Sequence, residues 1–232
     1  MANVTFDYNR KKDAWAWVYI AKDRDESWGI NWQNENQHVP DLLMKKILES
    51  DELEAIKLVE KHFSESNNQK FKEQIIKAEI KSLEAIWRLK EERFFHILEK
   101  ITAKPIYQKT FPSYFTTGFM CPYRMEEKPN WFMVSIWKGI PFWITTICHE
   151  ILHLQFIHYW QREVTRKIGE EKFEILKESL TFLLDEEEFD GIILSEDGGY
   201  PNHQKIRSRL SKFWSENNDF HKLIDFGVKI LE

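Results

Sequence analysis

The chain has 232 residues, 42% of them hydrophobic, which is enough for a sizeable buried core. Its formal net charge is −5, and Lys and Arg are interspersed with Asp and Glu, so the sequence lacks the basic surface that nucleic-acid or anionic-membrane binding requires. The N-terminus has no signal-peptide-like apolar run, and no segment reaches the roughly 18 apolar residues of a membrane span. The two cysteines form neither a metal-binding nor a disulfide pattern. We therefore expect a cytoplasmic protein without a nucleic-acid or membrane partner; the sequence predicts no oligomeric state.

The first predicted elements are strands near the N-terminus. Residues 14–20, AWAWVYI, alternate between large and small side chains and then become continuously apolar. After a polar segment, WGINW follows over residues 28–32. This pattern predicts a hairpin or two neighbouring strands, with the tryptophans in the core or along a sheet edge.

Two amphipathic patterns come next. The first extends from Pro40 and Asp41 to about residue 63, and the second covers about residues 70–101. In the second, apolar residues recur at helical spacings of about three or four, while Glu and Lys occupy the opposite face. Because only a short polar break separates the two patterns, we predict a long helical hairpin.

The sequence of the middle of the chain, residues 105–139, predicts extended structure. Proline and glycine recur over residues 105–129 and exclude a continuous helix there. The segments YFTTGFM, residues 114–120, and WFMVSIWKG, residues 131–139, are predicted strands. A helix is predicted from about residue 162 to about residue 184, and the loop SEDGGYPNH, residues 195–203, precedes one or two closing helices.

A His-Glu-x-x-His motif lies in TTICHEILHLQFIHYW, residues 145–160. Residues four apart share one helix face, so His149 and His153 can direct imidazole nitrogens at one point. Glu150, one residue further round, can reach a water on the open side of a metal but not the same coordination position. The rest of this helix is apolar, and buried polar groups without partners cost several kcal/mol. A zinc site is therefore favoured over a hydrogen-bonded cluster of core histidines.

The motif does not identify the third metal ligand. His158, nine residues after His149, faces the opposite side of the same helix and is not expected to bind the metal. The following helix offers several glutamates, of which Glu178 alone lies among apolar residues, in ILKESLTFLL. Because a carboxylate on an apolar patch needs a cation, we predict Glu178 as the ligand. The alternatives in the charged first half of that helix are Glu170, Glu171 and Glu174.

These features resemble the gluzincins, the thermolysin-like and aminopeptidase-like zinc metallopeptidases. KESLT, residues 177–181, is similar to the NEGLA type of third-ligand segment, and the resemblance covers about residues 131–203. It implies that the two motif histidines and Glu178 bind Zn²⁺. It also implies that Glu150 is the general base that accepts a proton from the attacking water.

The same resemblance implies a tyrosine or histidine that stabilises the oxyanion of the reaction. Tyr200 and His203, on the glycine-containing loop DGGYPNH, are the candidates for this catalytic role. The alternative for this loop is a turn that begins a helix, with Asn202 as its N-cap.

Two further parts of the gluzincin site are predicted by position. WFMVSIW, residues 131–137, stands where these enzymes have the strand that pairs with extended substrate. The acid that orients a ligand histidine is absent from its usual position, which Phe182 occupies, so Asp185 or Asp190 is the candidate. The aminopeptidase signature Gly-x-Met-Glu-Asn is absent, which disfavours that subgroup.

The predicted fold is α+β and mostly helical, with a small antiparallel or mixed sheet packed beside a zincin-like active-site helix. We expect a single domain over residues 1–232, with N-terminal strands and the helical hairpin in residues 1–104 and the zincin-like catalytic part in residues 105–232. The predicted function is zinc-dependent hydrolysis of a peptide or protein substrate. The alternatives are a regulatory protease-like module that acts on one partner protein, and a non-catalytic domain with a structural metal site.

Overall fold

A computed structural model describes residues 2–23, 29–31 and 39–232. Within these ranges the fold is α+β and mostly helical, with nine α-helices around a four-stranded mixed sheet. The predicted fold class is therefore confirmed. No helix in the described ranges is both long enough and apolar enough to cross a membrane.

The elements are as follows in chain order. The strands are β1 (Asn3–Asp7), β2 (Thr110–Thr116), β3 (Tyr123–Arg124) and β4 (Trp131–Ser135). The helices are α1 (Arg10–Lys22), α2 (Asp41–Glu49), α3 (Glu52–Glu65), α4 (Gln69–Trp87), α5 (Glu91–Thr102), α6 (Ile140–Ile168), α7 (Glu170–Ser179), α8 (Gln204–Asn217) and α9 (Phe220–Leu231). Short 3-10 helices cover Leu180–Asp185, Glu187–Phe189 and Pro201–His203.

The sheet has the strand order β1-β2-β4-β3. β1 and β4 each pair with β2 in parallel, whereas β3 pairs with β4 antiparallel, with Tyr123 opposite Phe132. β4 is thus an interior strand, and all of its residues are buried. The prediction that WFMVSIW forms a substrate-binding edge is wrong for β4, because β3 occupies the edge beside it.

Alternate residues of β4 contribute to two different hydrophobic clusters. Phe132 and Val134 belong to the larger cluster, which includes residues of α4 to α9. Trp131 and Met133 belong to the smaller cluster, with α1, α2 and α3. Because both faces of the strand are covered, its sequence is an almost continuous apolar run and not an alternating one.

The strands predicted over residues 14–20 are wrong, because this segment lies in α1. Asn9 caps the helix by accepting hydrogen bonds from the backbone N–H groups of Lys11 and Lys12. The helix is buried on nearly every side, so its sequence shows no one-sided helical periodicity. Of the second predicted strand, residues 29–31 are not in a strand, and residues 28 and 32 lie outside the described part of the chain.

The predicted long hairpin consists of four shorter helices. Its first arm is divided into α2 and α3, because Ser50 leaves the helical conformation and Asp51 caps α3 by accepting from Glu54 N. The second arm is divided into α4 and α5 between Trp87 and Glu91. Helical periodicity continues across both breaks, which is why the sequence pattern did not locate them.

The helix predicted to begin near residue 162 is instead the end of α6, which continues to Ile168. Gly169 then adopts a positive φ of 83°, a conformation that glycine accepts at little cost. α7 begins directly after it, packs back against α6 and ends at Ser179, before the 3-10 helix. The turn at Gly169 therefore brings two consecutive helices face to face.

A buried carboxylate joins α1 to the sheet. Asp13 is fully buried and accepts hydrogen bonds from Thr116 Oγ1 at 2.8 Å, Thr117 N at 2.7 Å and Tyr8 OH at 3.0 Å. Burial raises the pKa of Asp13, whereas these hydrogen bonds oppose the shift. The carboxyl group thus satisfies donors at the end of β2 that water does not reach.

We expect Asp13→Ala to lower the free energy of unfolding by about 2–4 kcal/mol, because it leaves several buried donors without an acceptor. Urea unfolding monitored by circular dichroism measures the change. Glu49→Ala is the control, since Glu49 is exposed and its carboxylate lies 3.9 Å from Lys45, and it should shift stability by less than about 0.5 kcal/mol. Equal stability of the two variants would contradict the anchoring role of Asp13.

Candidate metal centre

The predicted ligands converge where α6 faces α7. His149 and His153 lie one helical turn apart on α6, with ring centroids 4.1 Å apart. Glu178, near the end of α7, places Oε2 at 3.5 Å from Nε2 of each histidine. One potential ligand atom from each residue lies within 4.8 Å of the others. The structure thus brings together all three residues that the sequence nominated.

The spacing of these atoms fits a tetrahedral cation. Bonds of about 2.0–2.2 Å at tetrahedral angles separate neighbouring ligand atoms by about 3.3–3.6 Å, and the two His-to-Glu distances are 3.5 Å. In the described part of the chain, His153 Nε2 and Glu178 Oε2 are buried without a hydrogen-bond partner. Leaving such atoms unpaired costs about 1–3 kcal/mol each, a cost that a bound cation removes. Two imidazoles and a carboxylate suit Zn²⁺.

The local electrostatics favour the ligand forms of two of these residues. Burial disfavours ionisation of Glu178, but nearby positive charge, in particular that of Lys177, brings the pKa of Glu178 below its usual range. Burial lowers the pKa of His153 well below its ordinary value, so its imidazole is neutral. Metal binding requires this combination of carboxylate and neutral imidazole.

Asp197 orients the first histidine, a role the sequence analysis did not assign to it. Its Oδ2 lies 2.6 Å from Nδ1 of His149, which leaves Nε2 of the ring directed at Glu178. Burial opposes protonation of His149, but Asp197 and Glu178 raise the pKa of His149 well above its ordinary value. Asp197 lies in the loop between the second and third 3-10 helices, 48 positions from His149, and its one sequence signal is the pair of glycines that follows it.

Asp185 and Asp190, which were predicted to orient a ligand histidine, do not contact either histidine. Asp185 accepts from the backbone N of Asp197 at 2.8 Å and from Arg207 Nη2 at 2.9 Å, so it holds the loop and not the imidazole. Asp190 is exposed, and in the described part of the chain it has no hydrogen bond to either histidine. Both assignments are therefore wrong.

Arg207 fixes the loop that carries Asp197. This buried side chain of α8 donates to the carbonyl of Asp197 and, at 2.6 Å, to Thr181 Oγ1. Gly199 has a φ of 61°, and a Cβ at that position would lie 3.1 Å from Arg207. The glycine therefore permits both the turn and the close packing on which the Asp197 position depends.

The structure separates the two predicted oxyanion-binding residues. Tyr200 lines the same cavity as the ligand residues, and burial, followed by the charges of Glu178 and Glu150, raises the pKa of its hydroxyl well above the ordinary value. A protonated hydroxyl can donate a hydrogen bond into this cavity. His203 is buried against Tyr200, with ring centroids 5.7 Å apart, and does not line the cavity. The predicted catalytic position of His203 is therefore not supported by its placement.

The alternative for this loop, a helix start capped by Asn202, is also wrong in detail. A short 3-10 helix over Pro201–His203 leads into α8, and neither helix has a side-chain cap hydrogen bond. The turn thus begins a helix as expected, without the Asn202 cap.

Glu150 lines a cleft beside the ligand atoms. One cavity of about 450 Å³ and another of about 300 Å³ both include His149, Glu150 and Tyr200 in their walls. Burial raises the pKa of Glu150 to about 8, although His149 opposes the shift, and its Oε2 has no hydrogen-bond partner in the described residues. Burial also raises the pKa of the neighbouring Cys121 to about 12, so that thiol is protonated at neutral pH.

The residues that were not predicted to bind the metal lie outside the ligand cluster. They are His158, Glu170, Glu171 and Glu174. His158 is exposed and stacks on Tyr107, with ring centroids 4.3 Å apart, in agreement with its predicted position on the far side of α6. Glu170 and Glu171 are exposed. Glu174 forms an ion pair with Lys177, a buried lysine that the sequence analysis overlooked.

Comparison with known proteins assigns no family. A scan against protein-family models, a search of curated proteins and a search of solved structures each find no match to this chain. Function is therefore inferred from the site itself.

We expect Asp197→Ala to weaken Zn²⁺ binding by about 10- to 100-fold, because His149 loses the carboxylate that orients its ring. Competition with a chromophoric chelator measures the affinity. Asp190→Ala, which removes an exposed aspartate without a hydrogen bond to the ligands, should bind Zn²⁺ as the wild type does. An unchanged affinity in Asp197→Ala would show that the hydrogen bond does not support the site.

Proposed function

We propose that this protein is a zinc metallopeptidase of the gluzincin type, with His149, His153 and Glu178 as ligands and Glu150 as general base. The observation that carries the proposal is a set of three candidate ligand atoms within 4.8 Å of one another, two of them buried and unpaired within the described chain, beside a cleft. Structural zinc sites are closed by four protein ligands, whereas catalytic sites combine three protein ligands with an open position. The cleft beside Glu150 supports the catalytic pattern.

In the proposed reaction, Glu150 and Tyr200 act beside the metal. Zn²⁺ bound by these ligands would supply Lewis acidity and lower the pKa of an attacking water. Glu150 accepts the proton of that water and transfers it to the leaving amine. Tyr200, whose hydroxyl is kept protonated, donates a hydrogen bond to the oxyanion that develops on the substrate carbonyl.

The edge strand β3 is the proposed binding element for the substrate backbone. Tyr123 and Arg124 line the larger cavity together with the ligand residues, and among the described residues β3 pairs with β4 along one edge only. An extended peptide can add to the other edge through main-chain hydrogen bonds. The proposed substrate is accordingly a peptide or an extended protein segment. The proposal keeps the cytosolic location that the sequence favours.

The metal part of the proposal is tested by elemental analysis of purified protein. We expect one zinc per wild-type chain and loss of most of it in Glu178→Ala, because two histidines alone do not complete the ligand set. Glu171→Ala, an exposed glutamate on the same helix, is the matched control and should retain its zinc. Full zinc occupancy in Glu178→Ala would refute the assignment of the third ligand.

The chemical part is tested with Glu150→Gln on a peptide library analysed by mass spectrometry. Removing the base should lower the cleavage rate by about 10²- to 10⁴-fold while zinc content stays unchanged. Undiminished cleavage by this variant would disprove the mechanism.

Chelation of the wild type distinguishes the structural-metal alternative. An enzyme loses activity on chelation and remains folded, whereas a protein with a structural metal site unfolds.

A further inference from the structure

We infer that Lys177 is a positioning residue that engages one oxygen of Glu178, so that only the other oxygen binds the metal. This inference rests on the proposed function, because it concerns the same ligand set. It adds a residue that neither the sequence motif nor the ligand geometry alone identifies.

The two carboxylate oxygens of Glu178 have different surroundings. Oε1 lies 3.3 Å from Nζ of Lys177. Oε2 lies 3.5 Å from Nε2 of both His149 and His153, and among the described residues it has no hydrogen-bond partner. One oxygen is therefore paired with a cation of the protein, and the other is left for the metal.

Lys177 is itself held by its neighbours. Its side chain is 2% exposed, and Nζ donates to Tyr123 OH at 2.8 Å and to Oε2 of Glu174. Nζ also lies 4.9 Å from the centroid of the Tyr123 ring. A buried ammonium is costly unless several partners compensate it, so these contacts restrict the position of Nζ. The ammonium group is thus held beside Oε1 of Glu178.

This arrangement affects how many positions the metal offers. A carboxylate that binds zinc through both oxygens occupies space that a catalytic site keeps for water or substrate. With Oε1 engaged by Lys177, Glu178 binds through Oε2 alone and the open position is preserved. Without Lys177, Oε1 is free to turn towards the metal, and the site loses a compensating positive charge.

The contact also links the ligand to the proposed substrate strand. Tyr123 belongs to β3, and its hydroxyl accepts the hydrogen bond of the same Nζ that contacts Glu178. Lys177 therefore contacts both β3, the proposed binding element for the substrate, and Glu178, the proposed metal ligand.

The test uses Co²⁺-substituted full-length protein and the variant Lys177→Met. We expect this variant to bind Co²⁺ at least as tightly as the wild type, with weaker visible absorption because the coordination number rises. With peptide substrate, kcat should fall by roughly 10- to 100-fold with little change in KM. Lys177→Arg, which keeps a cation near Oε1, should restore the wild-type spectrum.

The control is Lys172→Met on the same helix, since Lys172 Nζ contacts the carbonyl of Glu232 and not the ligands. It should leave spectrum and kinetics unchanged. A Lys177→Met variant with the wild-type Co²⁺ spectrum, or with weakened Co²⁺ binding, overturns the inference. If Lys177→Met does not fold, Tyr123→Phe is tested instead, because it removes the hydroxyl that accepts from Lys177 Nζ. A partial loss of visible Co²⁺ absorption in this variant supports the inference, and an unaltered Co²⁺ spectrum overturns it.

The spectrum and the Co²⁺ affinity require no substrate, so they separate this inference from the proposed function. A wild-type protein that binds Co²⁺ but cleaves no peptide contradicts the peptidase proposal, and the spectra still decide the role of Lys177. A wild-type protein that binds neither Co²⁺ nor Zn²⁺ overturns both.

Discussion

Desolvation of ionisable side chains between α6 and α7 is the constraint on which the site depends. Glu150, His153, Lys177 and Glu178 are all buried there, each at a free-energy cost that only partners offset. Lys177 has its partners within the protein, whereas one atom of each of the other three has none in the described chain. The unpaired atoms belong to the proposed base and to two of the proposed ligands, which is the pattern of a site whose remaining partners are a cation and a substrate.

The rest of the fold serves to hold this arrangement in place. β4 is covered on both faces, so it forms a rigid support from which β3 projects at the edge of the cleft. The turn at Gly169 returns the chain so that α7 faces α6, and Arg207 holds the loop that brings Asp197 to His149. The site residues thus come from α6, α7 and the loop that contains Asp197, and their arrangement depends on the packing of all three.

Local spacing explains what the sequence could predict. The helical repeat alone places the two motif histidines on one face, and apolar neighbours single out Glu178. Residues 14–20 were misassigned because a helix buried on nearly every side loses the periodicity that distinguishes it from a strand. Asp197 and Lys177 were missed because their roles depend on tertiary contacts, with a loop residue 48 positions from its histidine and a lysine whose burial has no local signature.

The protonation state of Glu150 links the proposed metal to the proposed general base. Burial and the nearby carboxylates raise the pKa of Glu150 to about 8, so in the protein alone this group is largely protonated at neutral pH. A divalent cation between His149, His153 and Glu178 adds positive charge beside Glu150 and favours its ionised form. In the proposed site, the cation that would satisfy the unpaired ligand atoms would therefore also favour the base form of Glu150, and metal binding would be coupled to catalytic competence.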